Sequence, residues 1–236
     1  MAIKNALYVL DVTSLEDEKL FNEWHERMST ERKKKIDAYK NGISKRLSLG
    51  AGVLLEKALA EAHLAGYELF YNDQNKPFLK GESDIFFNIS HSGNMACLAI
   101  SDRLVGVDIE KDRHFADNLI AYVFNESDKE TAKKLALWEN KLDMAYTTLW
   151  TVKESIMKHS GMGIMLEPKK IILSVEDDEI LAPKEPQNTK KAVRIKAETP
   201  SYDCGSLHFS LFDLSGYRLT VCSEYERFPS PVTVEL

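Results

Sequence analysis

Apolar residues recur along the first half of the chain in two patterns, the alternation typical of strands and the three- and four-residue spacing typical of helices. A broad apolar stripe that includes Leu47, Leu54, Leu55 and Leu59 predicts a core helix. The patterns predict a strand at 6–12, helices at 15–28, from 30 and from 44, a strand at 67–71, and strands at 86–90 and 95–100 joined by a turn at 92–94. This half therefore combines helices with strands that pair as hairpins.

The second half repeats this plan loosely. It predicts a strand at 105–109, helices at 128–138 and 143–160, and strands at 170–175, 192–197, 206–211 and 217–224. The polar, proline-bearing segment 183–191 predicts a mobile hairpin or loop. Because both halves end in comparable apolar strands, at 95–100 and 219–222, the pattern indicates an internal duplication.

The order of these elements predicts an α+β protein made of two similar subdomains, a pseudo-dimer in which helices pack on mostly antiparallel sheets. The chain has 236 residues, 44% of them hydrophobic, which suffices for one large core or two smaller ones. The polar turn Ser101-Asp102-Arg103 marks the expected boundary, so that the subdomains comprise residues 1–103 and 104–236.

Charge and cysteine content narrow the class of protein. The formal net charge of −6 argues against a general nucleic-acid partner, because such proteins are usually basic. Cys97, Cys204 and Cys222 have no spacing typical of a zinc site, and two of them lie in apolar runs that favour reduced, buried thiols. Without a signal segment or an apolar run near the ~20 residues that span a bilayer, we expect a cytoplasmic protein with no membrane partner.

Two segments of the second half place acidic side chains on rigid elements. Asp108 and Glu110 alternate on a predicted strand and therefore share one face. Trp150, Glu154 and Lys158 lie four residues apart on a predicted helix and also share a face. Carboxylate oxygens suit Mg²⁺, which usually binds one or two carboxylates together with substrate phosphates. The alternative is that Asp108 and Glu110 are ordinary residues at the end of a strand. Glu154 and Lys158 would then form an ordinary ion pair on a helix surface.

Basic residues of the first half are candidates for phosphate binding. Arg32 and Lys35 belong to a basic run, and Arg46 precedes the apolar stripe of the core helix. In an acidic chain a local basic patch can attract a polyanion, and a guanidinium binds phosphate through two hydrogen bonds. The alternative for the run is a solvated helix face.

A second group of phosphate candidates lies at turns and strand ends. Lys76 stands before a proline that stiffens its turn, and Ser90 and His91 close a predicted strand. Hydroxyl, imidazole and amide groups at a strand end can hold phosphate oxygens. The alternative for His91 is a structural role, as a turn residue hydrogen-bonded to a neighbouring carbonyl group. The chain contains no glycine-rich phosphate loop, which disfavours a phosphotransferase that uses a free nucleotide.

Three motifs, in their order and spacing, resemble the signature of 4′-phosphopantetheinyl transferases. They are residues 87–92 (FNISHS), 106–110 (GVDIE) and 150–158 (WTVKESIMK). The chain length resembles the surfactin-synthetase-activator (Sfp) type, in which one polypeptide contains two similar halves. The resemblance therefore implies a monomer with an internal pseudo-two-fold axis.

The resemblance also implies an activity and its partners. It implies transfer of the 4′-phosphopantetheine arm of coenzyme A to a serine of an apo acyl carrier or peptidyl carrier protein, with release of adenosine 3′,5′-bisphosphate. It implies Mg²⁺ as cofactor, with Mn²⁺ as a substitute, held by Asp108, Glu110 and Glu154. Glu154 and Lys158 would be the catalytic residues. Two alternatives stay open: a coenzyme A or carrier-protein binding module that has lost catalysis, and another Mg²⁺-dependent phosphotransferase.

The same resemblance implies where coenzyme A binds. Its phosphates and nucleotide would contact eight residues: Arg32, Lys35, Arg46, Lys76, Ser90, His91, Lys153 and Lys158. Of these, Arg32, Lys35 and Arg46 match basic positions near the 3′-phosphate. One acidic position of the family is ambiguous here, because either Glu126 or Asp128 can take it.

Overall fold

The computed structural model describes residues 5–64, 66–81, 84–139, 141–175 and 194–236. The predicted loop at 183–191 and the beginning of the strand predicted at 192–197 lie outside these described residues. Within them, the backbone forms helices and several small sheets, and the predicted α+β class is confirmed.

The first half begins with strand β1 (Ala6–Asp11) and a short 3-10 turn (Val12–Glu16). Side-chain oxygens of Asp17, Ser29 and Asn41 accept backbone N–H groups at the starts of the next three helices, which fixes where each helix begins. The elements are α1 (Glu18–Arg27), α2 (Thr30–Asp37), α3 (Gly42–Glu61), the hairpin β2 (Leu69–Tyr71) and β3 (Pro77–Leu79), β4 (Phe86–Ser92) and β5 (Met95–Ser101).

The second half contains a three-stranded antiparallel sheet covered by its longest helix. The strands are β6 (Val105–Lys111), β9 (His208–Asp213) and β10 (Tyr217–Ser223), in the order β6-β10-β9. The helices are α4 (Asp117–Val123), α5 (Glu126–Glu139) and α6 (Leu142–Ser160), and a hairpin is formed by β7 (Ile172–Val175) and β8 (Ile195–Glu198). Helix α6 is terminated by the next residue, Gly161, whose φ of 72° is the left-handed conformation that glycine adopts easily.

The last strand of the described chain joins the sheet of the first half. Strand β11 (Val232–Thr233) pairs in parallel with β1, so the four-stranded sheet has the order β11-β1-β5-β4. All other strand pairs given for the two sheets are antiparallel, as predicted. The pattern analysis did not predict β3, α4 or β11, because each is shorter than the window in which a periodicity can be recognised.

The two halves share an apolar interface between their sheets. Leu7 and Val9 of β1 and Cys97 of β5 pack with Val107 and Ile109 of β6 in one buried cluster. Cys97, Cys204 and Cys222 are buried free thiols, as expected for the two that lie in apolar runs. In the described part of the chain, no helix is long and apolar enough to cross a membrane.

Candidate active site

Strand β6 and helix α6 approach each other so closely that only glycine fits at one position. A Cβ added to Gly106 would lie 2.0 Å from the Ser155 carbonyl oxygen and 2.5 Å from the His159 nitrogen, both backbone atoms of α6. The absence of a side chain therefore sets the distance between the strand that carries Asp108 and Glu110 and the helix that carries Glu154 and Lys158.

Strands β4 and β6 are neighbours joined by side chains, and we call this contact the seam. It is formed by Asn88, Ser90 and Ser92, which alternate on β4. The Asn88 Oδ1 accepts the Val107 N–H at 2.9 Å, the Ser90 hydroxyl donates to the Asp108 Oδ1 at 2.7 Å, and the Ser92 hydroxyl donates to the Glu110 Oε2 at 2.7 Å. The first half thus holds the acidic strand of the second half.

Asp108 is buried, with a relative exposure of 3%. Its Oδ1 accepts hydrogen bonds from the Ser90 hydroxyl at 2.7 Å and from the Lys158 Nζ at 2.6 Å. Its Oδ2 is buried and has no hydrogen-bond partner. An unpaired buried carboxylate oxygen costs free energy, so this atom is suited to accept a bond from a cation or a ligand.

Glu154 and Lys158 face the acidic strand from α6, as the four-residue spacing predicted. Burial raises the pKa of Glu154 to about 7; the Asp108 and Glu110 carboxylates add to this shift and Lys158 opposes it. Although burial favours the neutral amine, the Asp108 and Glu154 carboxylates raise the pKa of Lys158, so the ammonium form is retained. The site therefore combines three carboxyl groups with one cation.

The chemistry of the three carboxyl groups is suited to binding a divalent cation. The donor set consists of oxygens only, and the free Asp108 Oδ2 supplies a ligand atom that needs a partner. The arrangement is not a closed ligand set, because among the described residues no three His, Cys, Asp or Glu side chains are already grouped as metal ligands. Lys158, which binds the Asp108 Oδ1, provides the positive charge at this point.

The Ser90 side chain lies between Asp108 and Lys158 and contacts both. Its hydroxyl donates to Asp108 and accepts a hydrogen bond from the Lys158 Nζ at 2.8 Å. Partial loss of solvation lowers the pKa of His91, and the Lys158 and Lys35 ammonium groups add to this shift. His91 is therefore influenced by one cation from α6 and one from α2.

The other basic candidates of the first half differ in their contacts. Partial loss of solvation and the neighbouring Arg32 guanidinium lower the pKa of Lys35, so α2 presents two adjacent positive groups. Arg46 donates to the Glu16 Oε1 at 2.9 Å, while its Nε is buried without a partner. The Glu16 side chain of this ion pair is exposed, so the pair contributes little to stability. An anionic ligand could therefore replace Glu16 as the partner of the Arg46 guanidinium.

The structure places the Lys76 ammonium at the end of α6, where it is occupied by backbone carbonyls. Its Nζ donates to the oxygens of Lys158 at 2.6 Å and His159 at 3.0 Å, and the residue is only 8% exposed. A cation at this position satisfies carbonyls that a helix C-terminus leaves unpaired. Lys76 therefore connects the first half to α6, and the predicted contact of this ammonium with the nucleotide needs these bonds to break.

Lys153 lies away from the site, which corrects its expected contact with coenzyme A. Its side chain is fully buried and pairs with Asp128, and it also donates to the carbonyl oxygens of Pro168 at 2.7 Å and Ile171 at 2.6 Å. The reason is helical geometry, because Lys153 is one residue from Glu154 and so projects about 100° away from it. Of the two acidic candidates left open by the sequence, Asp128 forms this buried pair, whereas Glu126 is exposed and bonded to Lys129.

Three contacts of the site, made by Ser92, Asn88 and Trp150, were missed by sequence reasoning. Ser92 and Asn88 could have been recognised, because they share the period of two with Ser90 on one strand. The third is that of the Trp150 indole, which donates from Nε1 to the Glu110 Oε1 at 3.2 Å. The sequence indicated that Trp150 and Glu154 share a face but gave no sign of which atom the indole bonds.

The fold and site define an enzyme in which a strand and a helix bring carboxylates and a lysine together. Residues 104–222 match the family model of the 4′-phosphopantetheinyl transferase superfamily. The matched segment includes β6 and α6, and it covers half of the chain. The chain belongs to this superfamily, whose members transfer the 4′-phosphopantetheine group.

Curated relatives extend this similarity beyond the matched segment. The chain is 28% identical over 212 residues to the 4′-phosphopantetheinyl transferase gsp of Aneurinibacillus migulanus, with 87% of each chain covered. It is 24% identical to the 4′-phosphopantetheinyl transferase Sfp of Bacillus subtilis (strain 168), covering 69% of this chain and 65% of the relative. It is 33% identical to the 4′-phosphopantetheinyl transferase AcpT of Salmonella typhi, over 51% of this chain and 61% of the relative. The predicted resemblance to the Sfp type is confirmed.

Proposed function

We propose that this enzyme transfers the 4′-phosphopantetheine arm of coenzyme A to a serine of an apo acyl carrier or peptidyl carrier protein and releases adenosine 3′,5′-bisphosphate. The observation that supports this most is the convergence of Asp108, Glu110, Glu154 and Lys158 from β6 and α6 beside the free Asp108 Oδ2. Lys158, together with a divalent cation that the carboxylates would hold, suits the negatively charged pyrophosphate of coenzyme A.

Lys158 would contact the phosphate that reacts. Attack by the carrier serine on the β-phosphate develops negative charge on the phosphate oxygens and on the leaving group. The ammonium is retained beside Asp108 and Glu154, so it can neutralise that charge without first gaining a proton. Since the serine comes from the carrier protein, the chain needs no nucleophile of its own.

Glu154 is the residue that we assign as general base for the serine proton, directly or through a water. A base functions best when its pKa lies near the working pH, and in the absence of a metal ion burial raises the pKa of Glu154 to about 7. Asp108 is less suited, because its Oδ1 already accepts bonds from Ser90 and Lys158.

Asp108, Glu110 and Glu154 would hold Mg²⁺, for which Mn²⁺ can substitute. When bound, the ion would polarise the pyrophosphate oxygens and help to stabilise the charge of the leaving group. The chain's own contribution is to hold these carboxylates on a strand and a helix, and to hold the strand through the seam.

Coenzyme A would bind across both subdomains. Residues 1–103 would contact the nucleotide end, with Arg32, Lys35 and Arg46 near the 3′-phosphate and His91 toward the pyrophosphate. Residues 104–236 would provide the carboxylates and Lys158. Because the seam and the shared apolar interface already bring both parts together in one chain, we propose that the enzyme acts as a monomer.

Incubation of the protein with coenzyme A, Mg²⁺ and an apo carrier protein, followed by intact mass measurement of the carrier, tests this function. We expect a mass gain equal to one phosphopantetheine arm, together with adenosine 3′,5′-bisphosphate in the supernatant. Binding of coenzyme A without a mass gain on any of several apo carriers would contradict the proposal and support a binding module. If the mass gain is observed, comparison of kcat/KM over a panel of apo carriers would identify the preferred acceptor.

A further inference from the structure

We propose that Ser92 and Trp150 are positioning residues that hold Glu110 in its orientation, one from each half of the chain. This inference rests on the metal-binding role proposed above for Glu110. Both side chains belong to the three motifs, and neither has a part in the reaction proposed above.

The direction of the Ser92 hydrogen bond is fixed by its second contact. The Ser92 Oγ accepts the Lys111 backbone N–H at 3.2 Å and lies 2.7 Å from the Glu110 Oε2. A serine hydroxyl has one proton to donate, and a backbone N–H cannot accept it. The proton is therefore directed at the carboxylate. The hydroxyl thus joins the end of β4 both to the backbone of β6 and to the side chain of Glu110.

The Trp150 indole holds the other oxygen. An indole N–H only donates, and the Trp150 Nε1 lies 3.2 Å from the Glu110 Oε1. Trp150 precedes Glu154 by one helical turn on α6, so the indole ties Glu110 to the helix that carries the other proposed site residues. Strand β4 and helix α6 thus fix the carboxylate from two directions.

This clamp orients Glu110 without blocking it. Each carboxylate oxygen has two lone pairs, and the hydroxyl and the indole use one on each oxygen. One lone pair on each oxygen would stay available for a cation. Partners of this kind around ligating side chains typically affect metal affinity by 10–100-fold when they are removed.

The test measures the binding of Mn²⁺ by electron paramagnetic resonance, with and without coenzyme A and in the absence of carrier protein, so that no turnover is needed. We expect Ser92→Ala and Trp150→Phe each to weaken Mn²⁺ binding by about 10–100-fold. Ser92→Thr keeps a hydroxyl on a strand and should restore binding to within a few-fold of the unmodified protein.

Two matched substitutions separate positioning from general stability. Ser127→Ala removes a hydroxyl that donates to the Leu173 carbonyl oxygen at 3.1 Å, and Trp24→Phe changes an indole on α1. Neither should change Mn²⁺ affinity, and circular dichroism melting should confirm that each variant is folded at the assay temperature.

Unchanged Mn²⁺ affinity in folded Ser92→Ala and Trp150→Phe would overturn the inference and leave the proposed function intact. An equal loss of affinity in Ser127→Ala would overturn it as well, because the effect would then be a general one. Failure of the unmodified protein to bind Mn²⁺ in either condition would instead refute the metal site of the proposed function, and this inference with it.

Discussion

Replacing Gly106 with alanine tests whether the close approach of β6 and α6 determines both stability and activity. The new Cβ would lie 2.0 Å from the Ser155 carbonyl oxygen and 2.9 Å from the His159 Cα. These are backbone atoms, so no change of rotamer relieves the overlap. Ordinary contacts between such atoms begin above about 3 Å, so α6 has to move outward by about 1 Å.

The size of the effect follows from that displacement. Overpacking a well-packed core typically costs about 1–3 kcal/mol, and two rigid backbones place Gly106→Ala at the upper end of this range. For a chain of this length, a loss of about 3 kcal/mol lowers the Tm by roughly 6–12 °C. Because α6 carries Glu154 and Lys158, a shift of about 1 Å should also lower the transfer rate on the order of 10²-fold.

Thermal melting by circular dichroism and transfer rates by intact mass, both measured where the variant is folded, provide the comparison. Gly52→Ala is the matched control, because the nearest atom to its new Cβ is the Met28 Sδ at 2.7 Å, which belongs to a flexible side chain. The control should melt within a few degrees of the unmodified protein and stay active. The smallest decrease in Tm expected for Gly106→Ala is roughly 6 °C. A variant that melts within about 2 °C of the unmodified protein and retains its activity would therefore refute this reasoning.

Four further outcomes are expected. Lys153→Met leaves Asp128 buried without its partner and should reduce the free energy of unfolding by about 3–5 kcal/mol in urea titrations, whereas Lys153→Met with Asp128→Leu should recover much of that loss. Since Glu154 binds a cation only as a carboxylate and its pKa is raised to about 7, Mn²⁺ affinity should fall as the pH drops below 7 and level off above it. Glu154→Gln should weaken this dependence in calorimetric titrations, and the part that remains is expected from Asp108, whose pKa is also raised by burial. Arg46→Ala should weaken coenzyme A more than dephospho-coenzyme A, and equal losses would place the 3′-phosphate elsewhere. Asp108→Ala should abolish metal-stimulated transfer with the circular dichroism spectrum unchanged; transfer that persists and still responds to Mg²⁺ would contradict its assignment.

Periodicity sufficed to predict the elements that carry the site. Alternation placed Asp108 and Glu110 on one face of β6, and the four-residue spacing placed Trp150, Glu154 and Lys158 on one face of α6, as the structure has them. These assignments succeed because the direction of a side chain within one strand or helix depends on local geometry alone.

Partners across the fold could not be derived in this way. A sequence pattern does not show that Lys76 reaches the end of α6, that Lys153 turns inward to Asp128, or that Ser92 binds Glu110. These contacts depend on how β4, β6 and α6 pack, which is a property of the tertiary structure. The face of Lys153 was nevertheless predictable, since adjacent helical residues point about 100° apart.

The pairing of β11 with β1 has a consequence for biosynthesis. Tyr8 of β1 faces Val232 of β11, so almost the whole chain is translated between the two partners. At about 5–20 residues per second, the ribosome needs on the order of 10 s or more to produce the second strand after the first. During that interval the outer edge of β1 has unpaired backbone groups, which is the kind of edge that recruits other nascent chains into aggregates. The yield of folded enzyme should therefore depend on how well this first strand is shielded while translation is still in progress.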